Sequence, residues 1–194
     1  LDFNNNQQLL SSSQIKQRDL SFQYQGLTHN IKLHYDLGQI ELANTTPQLA
    51  ISQYAQEGLP QSTAQELLVQ LAPLVKDKSE QDAVNLLLRF VQTAFAYKTD
   101  EQQFREENYL YPVETLHYPY SDCEDRAALF AWLTKRLLKL DVVLLDYPGH
   151  IATAVALNSP YKGDSWNFEG RKYTVADPTY INASIGMTMP NLKV

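Results

Sequence analysis

The first regular pattern along the chain is an alternation of apolar and polar residues. Leu20 and Phe22 occupy every second position, Gly26 interrupts the pattern, and a second alternating run begins at Ile31. A period of two is that of a β-strand with one buried face, and a glycine between two such runs marks a turn. The pattern therefore predicts short strands from residue 20 to about residue 54.

A helical period replaces this alternation from Ser62 onward. A capping box at Ser62 predicts a first helix that Pro73 ends or kinks. Ser79 begins a second predicted helix. Its apolar side consists of Ala83, Leu87, Phe90, Val91 and Ala94. A third helix is predicted from Asp122, as its N-cap residue, through Lys139.

Alternating runs return in the last third of the chain and predict an antiparallel sheet. The predicted strands are 142–147, 151–157, 166–168 and 172–176, with Glu169 and Gly170 as a hairpin turn between the last two. The stretch 109–120, rich in tyrosine and proline, is predicted as a loop. Helices followed by antiparallel strands indicate an α+β fold. We therefore expect a β-rich segment at 1–60, appended or truncated, and a core at 61–194.

Composition narrows the classes of function. The chain has 194 residues, 44% of them hydrophobic, which is enough for one buried core. Sixteen Lys and Arg residues against 22 Asp and Glu give no basic excess, which argues against nucleic acid as the main partner. No apolar run approaches the roughly 18 residues of a membrane span. The single cysteine excludes an internal disulfide and any zinc site built from several cysteines.

That cysteine, Cys123, lies in the first turn of the third predicted helix. Unpaired amide groups at a helix N-terminus favour an anion, so we expect a lowered pKa for the Cys123 thiol and a nucleophilic thiolate. Asp122, Glu124, Asp125 and Arg126 surround it, which is not the apolar setting of an inert buried cysteine. The carboxylates oppose the thiolate, so the helix dipole and an imidazolium must outweigh them.

A nucleophilic cysteine needs a base, and the chain offers four histidines. His29 and His34 fall on opposite faces of a predicted strand, where ordinary surface or core roles are expected. His117 lies in the tyrosine-rich stretch. His150 follows a turn and opens an apolar strand, which is the best placement for a side chain that projects into a site.

The third member of such a constellation is a carboxylate that orients the imidazole. Asp177 ends the last predicted strand and precedes a proline, so it is favoured for this role. Asp146, four residues before His150, is the rival.

With these residues identified, the chain resembles the transglutaminase-like superfamily of bacterial type, relatives of the papain-like cysteine peptidases. The matching positions are Cys123, Ala127, Arg136, His150, Asp177, Pro178 and Thr179, in the order that the family shows. The resemblance implies a core in which a helix begins with the cysteine and packs on an antiparallel sheet that carries the histidine and the aspartate. It covers about residues 79–190.

The resemblance and the residues together predict a thiol-dependent hydrolase of amide or peptide bonds, with Cys123, His150 and Asp177 as a catalytic triad and a thioester intermediate. Tyr118, Tyr120 and Tyr97 are candidate donors to the oxyanion. Protein-glutamine transglutamination is one alternative, and a non-catalytic binding or scaffold module is another. The expected substrate is a protein or peptide.

No cofactor or metal is expected, although the resemblance offers calcium at Asp122 and Glu124 as an alternative. The first residue is Leu1, and residues 1–13 are polar without the apolar stretch of a signal peptide. The compartment stays open, with an extracytoplasmic location, in a periplasm or cell envelope, as the favoured expectation.

Overall fold

A computed structural model describes residues 14–193, so the polar stretch 1–13 lies outside the described residues. The strands are β1 (Ile15–Tyr24), β2 (Leu27–Asp36), β3 (Ala96–Tyr97), β4 (Tyr120–Ser121), β5 (Asp141–Tyr147), β6 (His150–Ala156), β7 (Ser165–Phe168) and β8 (Arg171–Ala176). The helices are α1 (Leu37–Thr45), α2 (Ile51–Glu57), α3 (Gln61–Val75), α4 (Glu80–Ala94), α5 (Asp100–Gln103), α6 (Pro112–His117) and α7 (Cys123–Leu138).

The N-terminal alternation forms one antiparallel hairpin. Leu20 pairs with Ile31 across β1 and β2, and both side chains are buried. The prediction of strands up to residue 54 is wrong beyond β2, because α1 and α2 occupy that stretch. The carboxylate of Asp36 accepts a hydrogen bond from the backbone N–H of Gly38 and begins α1 directly after the strand.

The predicted helix boundaries are close to those observed. Ser79 is the N-cap of α4, and its side chain accepts a hydrogen bond from the backbone N–H of Asp82, which confirms that start. Helix α7 begins directly after Asp122, as predicted, and ends at Lys139 in a left-handed conformation. Helix α3 starts just before the predicted cap, and Pro73 lies within its last turn.

The loop predicted over 109–120 contains a short helix, α6. Its first residue is Pro112, a position where a missing N–H costs nothing. The carboxylate of Glu114 accepts a hydrogen bond from the backbone N–H of Tyr111, and both side chains are buried. Leu116 on the same helix is buried, so packing against the core stabilises this segment. The composition of the segment does not indicate this stabilisation.

The C-terminal sheet has the strand order β5-β6-β8-β7 and is antiparallel throughout. Glu169 and Gly170 both have positive φ, which confirms the hairpin turn between β7 and β8. Helix accounts for 42% and strand for 27% of the described residues, and together with the antiparallel sheet this confirms the α+β class. No helix within 14–193 is long and apolar enough to cross a membrane.

Helix α7 lies at the centre of the packing. It contacts β5 and β6 on one side and α2, α4 and α6 on others. Alanines at positions 127 and 128 are fully buried, and these small side chains let α7 approach its neighbours closely. One continuous core joins the N-terminal hairpin to these helices, since Leu20 and Leu129 belong to the same cluster.

Gly58, which ends α2, is predicted to be essential for this packing. Its φ is +73°, and a Cβ there would overlap the indole of Trp132 on α7. We expect Gly58→Ala to lower the free energy of unfolding by about 2–4 kcal/mol, because the conformation at φ +73° and ψ −147° is essentially confined to glycine, and its strain of about 1–3 kcal/mol adds to overpacking. Chemical denaturation measures this.

Gly26→Ala is the control for the strain that a positive φ causes in the absence of a steric contact. Its φ is +79°, but no atom lies within 4 Å of an added Cβ. We expect a loss of only about 1 kcal/mol there. Equal losses in the two variants would show that the contact between Gly58 and Trp132 does not constrain α7.

Candidate active site

Cys123 is the first residue of α7 and is 7% exposed. Its side chain packs in a small apolar cluster with Ala127, one turn later, and with Leu144 and Ile151 from the sheet. Ile151 directly follows His150 in β6, and its backbone N–H donates a hydrogen bond to the Cys123 sulfur. The thiol therefore lies against the start of the strand that carries the candidate base.

His150 and Asp177 form a hydrogen bond. The Nε2 atom of His150 lies 2.9 Å from Oδ2 of Asp177, and their side chains are 10% and 1% exposed. A carboxylate can only accept, so Nε2 carries the proton. The other carboxylate oxygen, Oδ1, accepts from the backbone N–H groups of Thr179 and Tyr180 at 2.9 and 3.1 Å. Asp146, the rival orienting residue, is exposed on β5.

The thiol has a different hydrogen-bond partner from the one expected. The Sγ atom of Cys123 donates to Oε2 of Glu124 at 2.9 Å. Within the described chain, no hydrogen bond joins the sulfur to the His150 ring. The structure therefore brings His150 and Asp177 into contact and places Cys123 against Ile151, the residue after His150. The thiol proton is directed at Glu124.

The position of Cys123 at a helix N-terminus predicts a lowered pKa for its thiol, but the shift is in the opposite direction. Burial, the hydrogen bond to Glu124 and the nearby carboxylates raise the pKa of the Cys123 thiol, whereas the N–H of Ile151 acts in the other direction. A thiol that donates to a carboxylate is stabilised as the neutral form. The resting state of Cys123 is consequently a thiol.

The other three histidines have partners of their own. His29 stacks on Phe22 with ring centroids 5.0 Å apart, whereas His34, on the opposite face of β2, lies 2.8 Å from Glu66. The Nδ1 atom of His117 is 3.0 Å from the hydroxyl of Tyr35. The contacts of these three rings are with residues outside the candidate site.

The three tyrosines proposed as oxyanion donors separate in space. Tyr97 pairs with Ser121 in the parallel β3–β4 contact, two residues before Cys123, and burial, together with negative charge at positions 122–124, raises the pKa of its phenol. The hydroxyl of Tyr118 donates to Asn44 on α1 instead. The ring of Tyr120 is covered by the Lys98 ammonium at 3.9 Å. Tyr97 is therefore the candidate whose surroundings include the sulfur.

Three buried carboxylates converge beside the thiol. Oxygen atoms of Asp100, Asp122 and Asp125 lie within 4.8 Å of one another, and Oδ1 of Asp122 has no partner among the described residues. Burial and neighbouring carboxylates raise the pKa of Asp122 to about 8 and that of Asp100 to about 6. Sequence reasoning missed Asp100, because only the tertiary fold brings α5 to α7.

This cluster offers part of the oxygen shell that calcium takes, which is usually six to eight oxygens. It retains Asp122 from the pair that the sequence suggested and adds Asp100 and Asp125, whereas the Glu124 carboxylate lies beside Asp122 and accepts the hydrogen bond of the thiol.

Arg126 is a second residue that sequence reasoning left without a role. Its side chain is 1% exposed, Nη2 donates to the Phe95 carbonyl at 2.9 Å, and Nε donates to the Ser121 hydroxyl at 3.1 Å. Its guanidinium carbon also lies 5.3 Å from the ring centroid of Tyr97. A buried cation one turn from Cys123 partly offsets the neighbouring carboxylates and ties β3 and β4 to α7.

Removal of the carboxylate that holds the thiol proton is predicted to activate Cys123. We expect Glu124→Gln to lower the pKa of the thiol, because the hydrogen bond and the negative charge are the main causes of its rise after burial. The rate of iodoacetamide labelling, followed against pH, measures the change.

Glu101→Gln, at an exposed position, removes the same charge elsewhere and serves as the control. Identical labelling profiles in the two variants would contradict the assignment of Glu124 as the acceptor of the thiol's hydrogen bond.

Stability is predicted to fall as pH rises through the acidic cluster. Folding raises the pKa of Asp122 from 3.8 to about 8, so the folded state holds a proton that the unfolded state releases. The contribution is fully present below pH 3.8 and is lost towards pH 8. We expect Asp122→Asn to flatten this part of the pH profile of the unfolding free energy, measured with a chelator present.

Asp77→Asn, in the exposed turn after α3, is the control and should leave the slope unchanged. A profile that stays as steep in Asp122→Asn as in the wild type would show that Asp122 is ionised in the folded protein.

Comparison with known proteins adds no relative. The chain matches no protein-family model, and no curated protein or solved structure matches it either. The resemblance to the transglutaminase-like superfamily therefore rests on the order and the setting of Cys123, His150 and Asp177 in this chain alone.

Proposed function

We propose that the protein is a thiol-dependent hydrolase of amide or peptide bonds, with Cys123 as nucleophile, His150 as general base and acid, and Asp177 as the orienting carboxylate. One observation carries the proposal: His150 forms a hydrogen bond to the buried Asp177 at the start of β6, and the only cysteine of the chain packs against the next residue of that strand.

Asp177 fixes the tautomer of the imidazole. With Nε2–H donated to Asp177, the ring nitrogen left to accept a proton is Nδ1. The carboxylate is itself held by two backbone N–H groups, so it keeps its orientation while the ring becomes charged. A fixed acceptor behind a histidine is the arrangement that a general base requires.

Activation of the thiol requires an exchange of hydrogen-bond partners. In the resting state Cys123 donates to Glu124, and burial disfavours the thiolate. Rotation of the thiol away from Glu124 and transfer of its proton to Nδ1 of His150 would produce a thiolate–imidazolium pair. The thiolate is then formed beside a cation, which offsets the cost of its burial.

The acyl-transfer steps follow from these positions. The thiolate attacks the substrate carbonyl, a C–S bond forms, and the C–N bond breaks as His150 returns its proton to the leaving amine. Water then attacks the thioester while His150 accepts a proton, the C–S bond breaks, and the acid is released. The oxyanion formed in each step would accept hydrogen bonds from the backbone N–H of Cys123 and from the Tyr97 hydroxyl.

The chain's own residues supply every group in these steps, so we propose no cofactor. The calcium alternative would be held by Asp100, Asp122 and Asp125, where a divalent charge would favour the ionised carboxylates and the thiolate. A rise in melting temperature with calcium in the wild type, absent in Asp100→Asn, would support that alternative.

Transglutamination is the alternative within the same chemistry. An amine in place of water would attack the thioester and form a new C–N bond. Incubation with a fluorescent primary amine and casein distinguishes the two, because incorporation of label indicates transfer and release of peptide indicates hydrolysis.

A non-catalytic module is the alternative favoured by the state of the thiol. Cys123 is buried, and its raised pKa disfavours the nucleophilic form. A scaffold with an inert cysteine would show neither labelling nor turnover at any pH tested.

We predict that Cys123→Ala and His150→Ala each lower the hydrolysis rate by about three orders of magnitude or more, since residues of a triad act as a unit. Release of fluorescent peptides from labelled casein measures the rate. His34→Ala removes a surface histidine paired with Glu66 and is the control. Full activity in Cys123→Ala would end the proposal.

A further inference from the structure

We infer that a row of polar side chains on α4, formed by Asn85, Arg89 and Gln92, positions Asp177 by holding the loop over residues 177–185. The inference rests on the proposed function, in which Asp177 orients His150. It assigns these three residues a positioning role, since none of them contacts the reacting groups.

Gln92 makes the most direct contact. Its side chain is 1% exposed, and its Nε2 atom donates to the backbone carbonyls of Asp177 at 3.0 Å and of Ala183 at 3.1 Å. One amide group thus joins the beginning of the loop to a point near its end. Removal of such a donor from a buried site leaves two carbonyls without their partner, which is costly.

Asn85 and Arg89 hold the far part of the loop. The Oδ1 atom of Asn85 accepts a hydrogen bond from the backbone N–H of Ile185 at 2.8 Å. The guanidinium of Arg89 donates to the side chain of Asn182 and lies 3.4 Å from its carbonyl. Asn182 has a φ of +67°, so the clamp falls where the chain turns through the left-handed region.

The three side chains share one face of α4, because residues separated by four and then three positions lie one above another on a helix. The rest of the helix is largely apolar and buried, with Leu87 and Phe90 fully inside the core. A buried glutamine in such a helix is a desolvated polar group, and the two hydrogen bonds of its Nε2 atom to the loop offset part of that cost, while its Oε1 atom has no hydrogen-bond partner among the described residues.

The same helix packs against α7, which begins with Cys123. Helix α4 is therefore a common support for the element that carries the nucleophile and for the loop that carries the carboxylate. Because the backbone of Asp177 is anchored and its Oδ1 is held within the loop, Oδ2 is the oxygen left to accept from His150. Loss of the anchor would let the carboxylate turn away.

Gln92→Met tests this, since methionine has nearly the same length and cannot donate a hydrogen bond. We expect kcat for casein-derived peptides to fall by about 100-fold with KM unchanged, as expected when a catalytic group is displaced by about 1 Å. We also expect the downfield proton resonance of the His150 Nε2–H to broaden or disappear. Thr93→Ala, at an exposed neighbouring position on α4, should retain both the wild-type kcat and the resonance of the His150 Nε2–H.

The resonance separates this inference from the proposed function. Asp177→Asn provides the reference spectrum for the loss of the hydrogen bond to a carboxylate, whether or not the protein turns over a substrate. If the protein proves inactive but Gln92→Met still abolishes the resonance, the positioning role stands and the hydrolase proposal fails.

Arg89→Met covers the case in which Gln92→Met does not fold. Arg89 is partly exposed, so its replacement should preserve the fold while it releases Asn182. An intermediate loss of kcat and of the resonance is expected. The inference would be overturned if a folded Gln92→Met variant, or Arg89→Met, kept both the resonance and kcat unchanged. It would also be overturned if the wild type showed no such resonance.

Discussion

The close packing of α7 against the sheet is the constraint on which the rest of the candidate site depends. The fully buried Ala127, one turn after Cys123, has a small side chain that lets the start of this helix approach the sheet, where Cys123 packs against Ile151. A larger side chain there would separate the thiol from the strand that begins with His150. The position of Cys123 against β6 is thus set by core packing and not by a flexible loop.

The electrostatic setting of Cys123 is a balance between opposing groups. A helix N-terminus favours an anion, yet burial and Glu124 raise the pKa of the thiol, and Asp122 adds a weaker effect in the same direction. Arg126 supplies a compensating buried charge. Such a site keeps the cysteine protonated, and in the proposed mechanism the thiol would have to exchange Glu124 for His150 as its partner. A protected thiol is also less open to oxidation.

The carboxylate side of the site depends on the loop after β8. Asp177 accepts three hydrogen bonds through its side chain and one through its backbone carbonyl, so both its position and its orientation are determined. Two of these bonds come from the loop itself and one from a buried residue of α4. In the proposed hydrolase, preorganisation of this kind would lower the cost of orienting His150.

Local patterns in the sequence were sufficient for most of the elements. The alternation around Leu20, the Ser79 cap, the start of α7 and the turn at Gly170 are determined by neighbours a few residues away, and these predictions are confirmed. The same local rules failed for α1, α2 and α6. In α6, burial of residues such as Leu116 outweighs a composition typical of loops.

In the candidate site, too, local sequence patterns predicted some features and only the tertiary structure determined the others. The sequence by itself determined the order of Cys123, His150 and Asp177 and placed each at the end of a helix or strand. Only the tertiary structure decided that Asp177 and not Asp146 meets the histidine, that Asp100 lies beside Asp122, and that Gln92 holds the backbone of Asp177. The sign of the thiol pKa shift was likewise decided by burial and by the partner of the thiol proton. Such contacts join residues far apart in the chain, so no local pattern records them.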